Sequence, residues 1–435
     1  MRDIEEDEYA KIEKVRIAFN DTCKIFGFKR FMPSPIEMLA TLEAKSGPGI
    51  KEEIYHFKDK KQRDLGLRFD LTVGVTRYIT GKKDLRRPFR VGTFGDMFRY
   101  DEPQKGRYRW FHQWNAEIYS TSNDNPSDHV LELFRFTISL FDKIGIDNFK
   151  IRLGHREIAE SFVNALLYGK LEQPNNDKQQ KVTTILRLLD KIEKKGDKQI
   201  VNEAINIGLE KSKAETLVKF GNIKSNNMEI LTKKLFTVLQ DINITDKDFN
   251  KISKVMQNYF GLFELKIKNI EFDLGLVRGM DYYDGYVFEV VDLNNKEIGS
   301  IAGGGEYTRL IKSFDGPDNL SAIGIAGGIE RTMELIDENK ESDNNLISVI
   351  SLVKEGSEDL ISTLRKNNIP TTYRQLNQED IKKGLKFAGA NNVNIVIIIG
   401  ENELMDGKYR IKDMKTGKEK LVEKESIVDV IKELI

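Results

Sequence analysis

The sequence predicts an α+β domain built on an antiparallel sheet and carrying a helical insertion, followed by an α/β domain. Three observations carry this. Strand-like runs broken by turn residues fill 96–120 and return over 270–311. Between about 165 and 262 strand signals vanish, while Lys, Asn, Gln and Glu rise. Beyond 345, short and nearly continuous apolar runs alternate with helical patterns, which implies parallel strands joined by crossover helices. At 435 residues the chain is too long for one ordinary core. The expected division is 1–164 with 263–337, an insertion over 165–262, and a final domain over 338–435.

Composition narrows the function classes. Lys plus Arg (69) cancels Asp plus Glu (69), so any nucleic-acid contact must come from local basic patches. A single cysteine, Cys23, rules out an internal disulfide framework and fits a reducing compartment. The four histidines (His56, His112, His129, His155) are too scattered for a Cys/His zinc pattern, and no protein-only metal site is expected. The polar N-terminus does not read as a signal peptide, and no run of eighteen or more apolar residues occurs. A soluble cytoplasmic protein without a membrane span is the expectation.

Along the chain, Tyr9, Ile12, Val15, Ile17, Phe19 and Ile25 recur at helical spacing, with Gly27 as a stop. Pro33 and Pro35 confine the next segment to an edge strand. Residues 54–79 read as a hairpin leading into the strand LGLRFDLTV, where Arg68, Asp70 and Thr72 share a face. The segment 96–120 reads as two strands around a polar turn containing Pro103 and Gly106. On its return strand Arg109, Phe111, Gln113, Asn115, Glu117 and Tyr119 face one way. Trp110, His112, Trp114, Ala116 and Ile118 face the other. Arg99 and Asp101 share a face on the incoming strand. Such a face fits either solvated ion pairs or a ligand bearing both charges.

Residues 128–144 form an amphipathic helix with Asp128 as candidate N-cap. FKIRLGHREI then reads as a strand and a helix start, with a structural His155. Ile185, Leu188, Leu189 and Ile192 mark one apolar helix stripe in the insertion. Its lysines (Lys191, Lys194, Lys195, Lys198) suit a solvated face or phosphate contact. Over 270–311 two strand pairs flank turns, and Gly303, Gly304 and Gly305 would let the backbone approach a ligand or make a bulge. SAIGIAGGIERTMELID (321–337) reads as a strand, a turn at Gly327–Gly328, and a helix from about Ile329. A polar linker (338–345) precedes the last domain, which closes with a hairpin and a helix.

The run FRYDEPQKGRYRWFHQ (98–113) closely resembles the motif 2 hairpin of class II aminoacyl-tRNA synthetases, in the form carried by histidyl-tRNA synthetases. LVRGMDYYDGYVFE and SIAGGGEYTRLI resemble the two motifs peculiar to that family, and SAIGIAGGIERTMELID resembles motif 3. The helix and strand ending at Pro35 resemble motif 1, which implies a homodimer. The last domain is similar to the family's anticodon-binding domain. In the second family motif the usual Gly-Arg-Tyr-Asp is replaced by Gly305, Glu306, Tyr307 and Thr308, which leaves the role of Glu306 open.

The resemblance implies ATP-dependent activation of L-histidine and its transfer to the 3′ end of tRNA(His), with ATP and Mg²⁺ as cofactors. By family position, Arg99 holds the α-phosphate and Arg278 is the distinctive catalytic arginine. Arg107 and Arg331 grip the outer phosphates, and Asp101 stands where a glutamate commonly accepts from adenine. Asp70, Thr72 and Gln113 receive the histidine ammonium, Glu117 and Tyr283 the imidazole, and Tyr282 and Tyr307 line that pocket. Arginine suits phosphate because its planar fork engages two oxygens and stays charged. Two alternatives remain: a non-catalytic paralogue such as the regulatory subunit of ATP phosphoribosyltransferase, or an RNA-binding module.

Overall fold

The computed structural model describes residues 2–46, 48–82, 84–100, 102, 108–169, 176–244, 262, 269–278, 283–336, 346–353 and 357–435. The chain forms two units, Met1–Ile336 and Asp337–Ile435.

Helix α1 (Glu6–Ile25) buries Ile12, Val15, Phe19 and Cys23 and leaves Tyr9, Ile17 and Ile25 exposed. It stops at Gly27, whose φ of 69° only glycine adopts cheaply. Strand β1 (Lys29–Arg30) lies at a sheet edge, and β2 (Ile36–Met38) leads into α2 (Leu39–Ser46). The hairpin of β3 (His56–Lys58) and β4 (Asp64–Leu67) pairs with β2 in a small antiparallel sheet.

The strand expected over LGLRFDLTV ends at Leu67. Helix α3 (Leu71–Thr80) follows, with Asp70 as its N-cap. The Asp70 carboxylate accepts from Thr72 N at 2.7 Å, and Leu71, Val75 and Ile79 bury one stripe of the helix. Capping and an i, i+4 stripe override the β-branched composition.

Strands β5 (Phe89–Phe98) and β6 (Trp110–Thr121) form the long central hairpin. Helix α4 (Pro126–Ile144) is capped by Asn125, which accepts from Ser127 N, so Asp128 lies in the first turn rather than at the cap. Then come β7 (Phe149–His155) and α5 (Arg156–Tyr168). His155 caps α5, and burial pushes its pKa down to about 3, so it stays neutral.

The insertion supplies α6 (Asn176–Leu189), α7 (Ile192–Lys195), α8 (Asp197–Asn206), α9 (Lys211–Gly221), the short β8 (Lys224–Ser225) and α10 (Met228–Gln240). After it come β9 (Ile270–Asp273), β10 (Tyr286–Asp292), β11 (Ser300–Glu306), a short helix Thr308–Lys312, β12 (Leu320–Gly328) and a helix Ile329–Met333. Strand β12 runs through Gly327 and Gly328 straight into that helix, without the expected turn.

Among the described residues the main sheet has the order β1-β5-β6-β12-β11-β10-β7-β9-β8. Its centre is antiparallel, and only the β1–β5 and β7–β9 pairs are parallel. Strands β9 and β10, adjacent in sequence, are separated by β7. One sheet face is covered by α1 and α4 through Phe19, Trp114, Phe136 and Phe141. On the other, α3 and the helix Thr308–Lys312 cover one end, around Val75, Ile79, Tyr119 and Tyr307.

In the second unit, β13 (Ile347–Ser351), β14 (Thr371–Gln375) and β15 (Ile395–Ile399) are parallel. Strands β16 (Lys408–Asp413) and β17 (Glu419–Glu423) extend the sheet antiparallel. Every residue of β13 and β15 is buried because apolar clusters lie on both faces. Among the described residues no helix is long and apolar enough to cross a membrane.

The insertion shares a core with the sheet domain. Phe162 of α5 stacks on Phe220 of α9 at 3.9 Å between ring centroids, and both rings are fully buried. Phe220→Ala is expected to cost about 3–5 kcal/mol, read as a lower melting temperature and an earlier urea midpoint.

Candidate active site

The uncovered part of the main sheet is the floor of a cleft of about 330 Å³. Pairing register aligns Gly305, Gly324 and Glu117 in one row across β11, β12 and β6, and Gly303, Ala326 and Asn115 in the next. Small residues at the centre leave room above the floor. Two of these glycines are required by close approach. A Cβ on Gly305 would sit 2.8 Å from the Tyr283 ring, and one on Gly324 would sit 2.8 Å from Glu117 Cγ. Tyr283 and Glu117 thus settle onto neighbouring strands of the floor, one over each glycine.

Six of the expected site residues line this cleft: Asp70, Arg99, Gln113, Tyr283, Arg278 and Arg331. Each arginine is held by a different group. Arg99 donates its Nε–H to the Phe69 carbonyl at 3.0 Å and lies 5.0 Å over the Phe111 ring. Arg331 donates to the Ser300 carbonyl at 2.9 Å. Arg278 forms an ion pair with Glu289.

Three more expected residues, Thr72, Glu117 and Tyr307, are buried in a layer behind the cleft wall. They are joined by two residues that sequence reading did not single out as site residues, Asn115 and Tyr119. Gln113 Nε2 donates to Asn115 Oδ1 at 2.8 Å. Asn115 Nδ2 donates to Thr72 Oγ1 at 3.0 Å and to Glu117 Oε1 at 3.3 Å. The Tyr119 hydroxyl donates to Glu117 Oε2 at 3.5 Å, accepts from Tyr307 at 3.4 Å, and bonds Thr76 at 2.8 Å. Burial, then the Glu117 charge, holds both phenols well above their ordinary pKa, so both stay protonated. Gln113, Asn115, Glu117 and Tyr119, alternate residues of β6, thus join one polar chain, a signal already present in the period-two pattern. Asp101, Arg107 and Tyr282 lie outside the described residues.

Glu330 also lines the cleft. Its carboxylate accepts from the His112 backbone N–H at 2.9 Å and contacts Nδ1 of the same residue at 2.9 Å, tying β6 to the helix that carries Arg331.

A family model described as histidyl-tRNA synthetase matches residues 1–332, and one described as anticodon binding domain matches 346–434. The chain belongs to the histidyl-tRNA synthetase family. It is 32% identical over 422 residues to the histidine–tRNA ligase of Clostridium tetani, covering 94% of this chain and 91% of that one. It is 29% identical over 441 residues to that of Pyrococcus furiosus, covering 99% and 97%. The crystal structure of histidyl-tRNA synthetase from Nostoc sp. shares the fold, with a TM-score of 0.79 at 20% identity over 98% of this chain and 95% of that one.

In this member of the histidyl-tRNA synthetase family, Glu306 does not line the cleft. It packs beside Gly285, with Ser321 Oγ 3.5 Å from its Oε1. Burial, then the Asp284 charge, raises its pKa to about 7. Asp284 follows Tyr283 directly and caps the helix Thr308–Lys312, accepting from Thr308 N and Arg309 N at 3.2 and 2.9 Å. A carboxyl whose folded pKa lies above its unfolded value of 4.5 favours the fold at low pH. That contribution is lost as pH climbs from about 4.5 to about 7, by roughly 3 kcal/mol in total. Glu306→Gln should remove the loss, so the variant gains on the parent in melting temperature between about pH 5 and about pH 8.

Proposed function

We propose that this protein attaches histidine to tRNA(His) in two steps. Histidine and ATP first give histidyl-adenylate and pyrophosphate, and the histidyl group then passes to the 3′ end of the tRNA. One observation carries the reading: the guanidinium groups of Arg99, Arg278 and Arg331 share a single cleft with Asp70 and Gln113. A zwitterion needs acceptors for its ammonium, and a triphosphate needs fixed cations. The cleft offers both.

The amino acid is held by its ammonium at Asp70 and Gln113, with Thr72 positioned behind through Asn115. Its imidazole is assigned to Tyr283 and Glu117, which the two glycines allow to settle close to the floor. The Tyr119 hydroxyl holds Glu117 and the Tyr307 hydroxyl backs Tyr119, and we assign Tyr282 to the same pocket by family position. A polar pocket of this kind rejects side chains that cannot satisfy its buried groups.

Attack of the histidine carboxylate on the α-phosphate brings two anions together. Fixed cations lower that barrier by position and electrostatics rather than by covalent chemistry. Arg99 spends its Nε–H on Phe69 and meets the α-phosphate with its terminal nitrogens. Arg278 neutralises the reacting carboxylate and phosphate. Arg331 and Arg107 take the outer phosphates, and Asp101 takes the adenine amino group. Mg²⁺ is assigned to the substrate, riding on the ATP phosphates, whose oxygens are the hard ligands it prefers.

We assign catalysis to 1–164 and 263–337, the helical insertion to 165–262, and anticodon binding to 338–435. The protein works as a homodimer, supported by exposed Met32, Ile36 and Met38 in the motif 1 region. We place it in the cytoplasm, as the family resemblance and the lack of cysteine pairs in the sequence suggest.

Histidine-dependent exchange of pyrophosphate into ATP tests the reading; its absence would favour a non-catalytic paralogue. Arg278→Ala should lower kcat for exchange about 10²- to 10³-fold while tRNA binding on a filter is retained. Glu117→Gln should raise the KM for histidine roughly 10- to 100-fold, the value of a hydrogen bond to a charged group, and leave the KM for ATP unchanged.

A further inference from the structure

Arg278 stands on the segment after β9, outside any strand, and its side chain is 46% exposed. A catalytic charge must be placed to within about 0.5 Å. Arg278 has a firm contact in Glu289, to which Nη1 donates. Glu289 lies in the middle of β10, paired in register with Arg152 of β7 on one side and Gly303 of β11 on the other. Its side chain is only 11% exposed.

The contacts continue past Glu289. Arg152 Nη1 lies 3.6 Å from Glu289 Oε2, on the oxygen that Arg278 does not use. Arg152 also pairs with Asp273 of β9 and, at 2.8 Å, with Glu193 of α7. Lys224 of β8 pairs with Glu193 and lies 3.2 Å from Asp273. Cation and carboxylate therefore alternate from the helical insertion to the cleft: Lys224, Glu193, Arg152, Glu289, Arg278.

We propose that Glu289 is the positioning residue for Arg278, fixing one edge of its guanidinium so that the remaining N–H groups meet the reacting carboxylate and α-phosphate. Arg152, braced by Glu193 of the insertion, fixes Glu289 in turn. The inference rests on the role of Arg278 given above. A guanidinium has five N–H donors, so a carboxylate on Nη1 orients it without consuming it. A buried carboxylate serving one cation alone would cancel the charge that catalysis needs. With Arg152 on its second oxygen, Glu289 divides its charge and keeps its geometric hold. The alternative is that the chain of ion pairs merely fastens the insertion to the sheet.

Single-turnover adenylate formation, with the full-length enzyme in excess, separates these. Glu289→Ala should slow the step by about 10²-fold, the cost of a misplaced catalytic group. Glu289→Gln, which keeps an acceptor oxygen, should slow it less. Glu193→Ala should produce a smaller loss of the same kind. In an Arg278→Ala background all three losses should vanish, because there is no guanidinium left to position. A structural role would instead lower the melting temperature and slow the step whether or not Arg278 is present. That outcome, or an unchanged rate in Glu289→Ala, overturns the proposal. If the parent enzyme makes no histidyl-adenylate, the reading of the cleft fails first, and separately.

Discussion

Strand β6 can keep only one register between β5 and β12, and the site depends on it. Trp114, Ala116 and Ile118 are fully buried against α1 and α4, while Gln113, Asn115 and Glu117 face the other way. A slip of one residue would drive a carboxylate and two amides into the aromatic core and expose Trp114 on the cleft side. The apolar face therefore specifies the polar one. Burial of the indole and its neighbours stabilises the fold, and the same pairing sets Glu117 level with Gly324 and Gly305.

Against this rigid floor the three arginines are held by unlike partners. Carbonyl oxygens accept from Arg99 and Arg331. Arg278 lies outside any strand and donates to a carboxylate. A charge-assisted bond is shorter and roughly twice as strong as a neutral one, which suits a side chain that must be held in one orientation. The cost is a weaker field at the cleft, and Arg152 on the far side of Glu289 offsets it.

Much of this was legible in the sequence, and the failures have physical causes. The period-two pattern of 109–119 gave the faces of β6, and the apolar runs beyond 345 gave the parallel strands of the second unit. Asp70 and Thr72 were read onto a strand because LTVGVT is rich in β-branched residues. One side-chain cap and the packing of Leu71, Val75 and Ile79 made it a helix instead. Asp128 lost the cap to Asn125 because Pro126 fits the first helical position. Strands β9 and β10 looked like partners, but β7, over a hundred residues earlier in the chain, lies between them. Glu289 and Glu330 were invisible as site residues because each acts through a distant partner: Arg152 and Arg278 for one, the His112 backbone for the other.

A protein with equal numbers of acidic and basic residues cannot attract ATP or tRNA by its overall field. The attraction has to be local, and in the cleft it is arranged by depth. Glu117 lies buried behind the wall, satisfied by an amide and a phenol, while the arginines lie along the lining. Within a Debye length of about 8 Å an incoming triphosphate meets guanidinium first. On the proposed function the deeper carboxylate, Glu117, is kept for the imidazole side chain, while Asp70 at the lining takes the ammonium. Depth separates only part of this charge: Asp70 and Glu330 share the lining with Arg99, Arg278 and Arg331, and of these carboxylates Glu117 alone lies deeper.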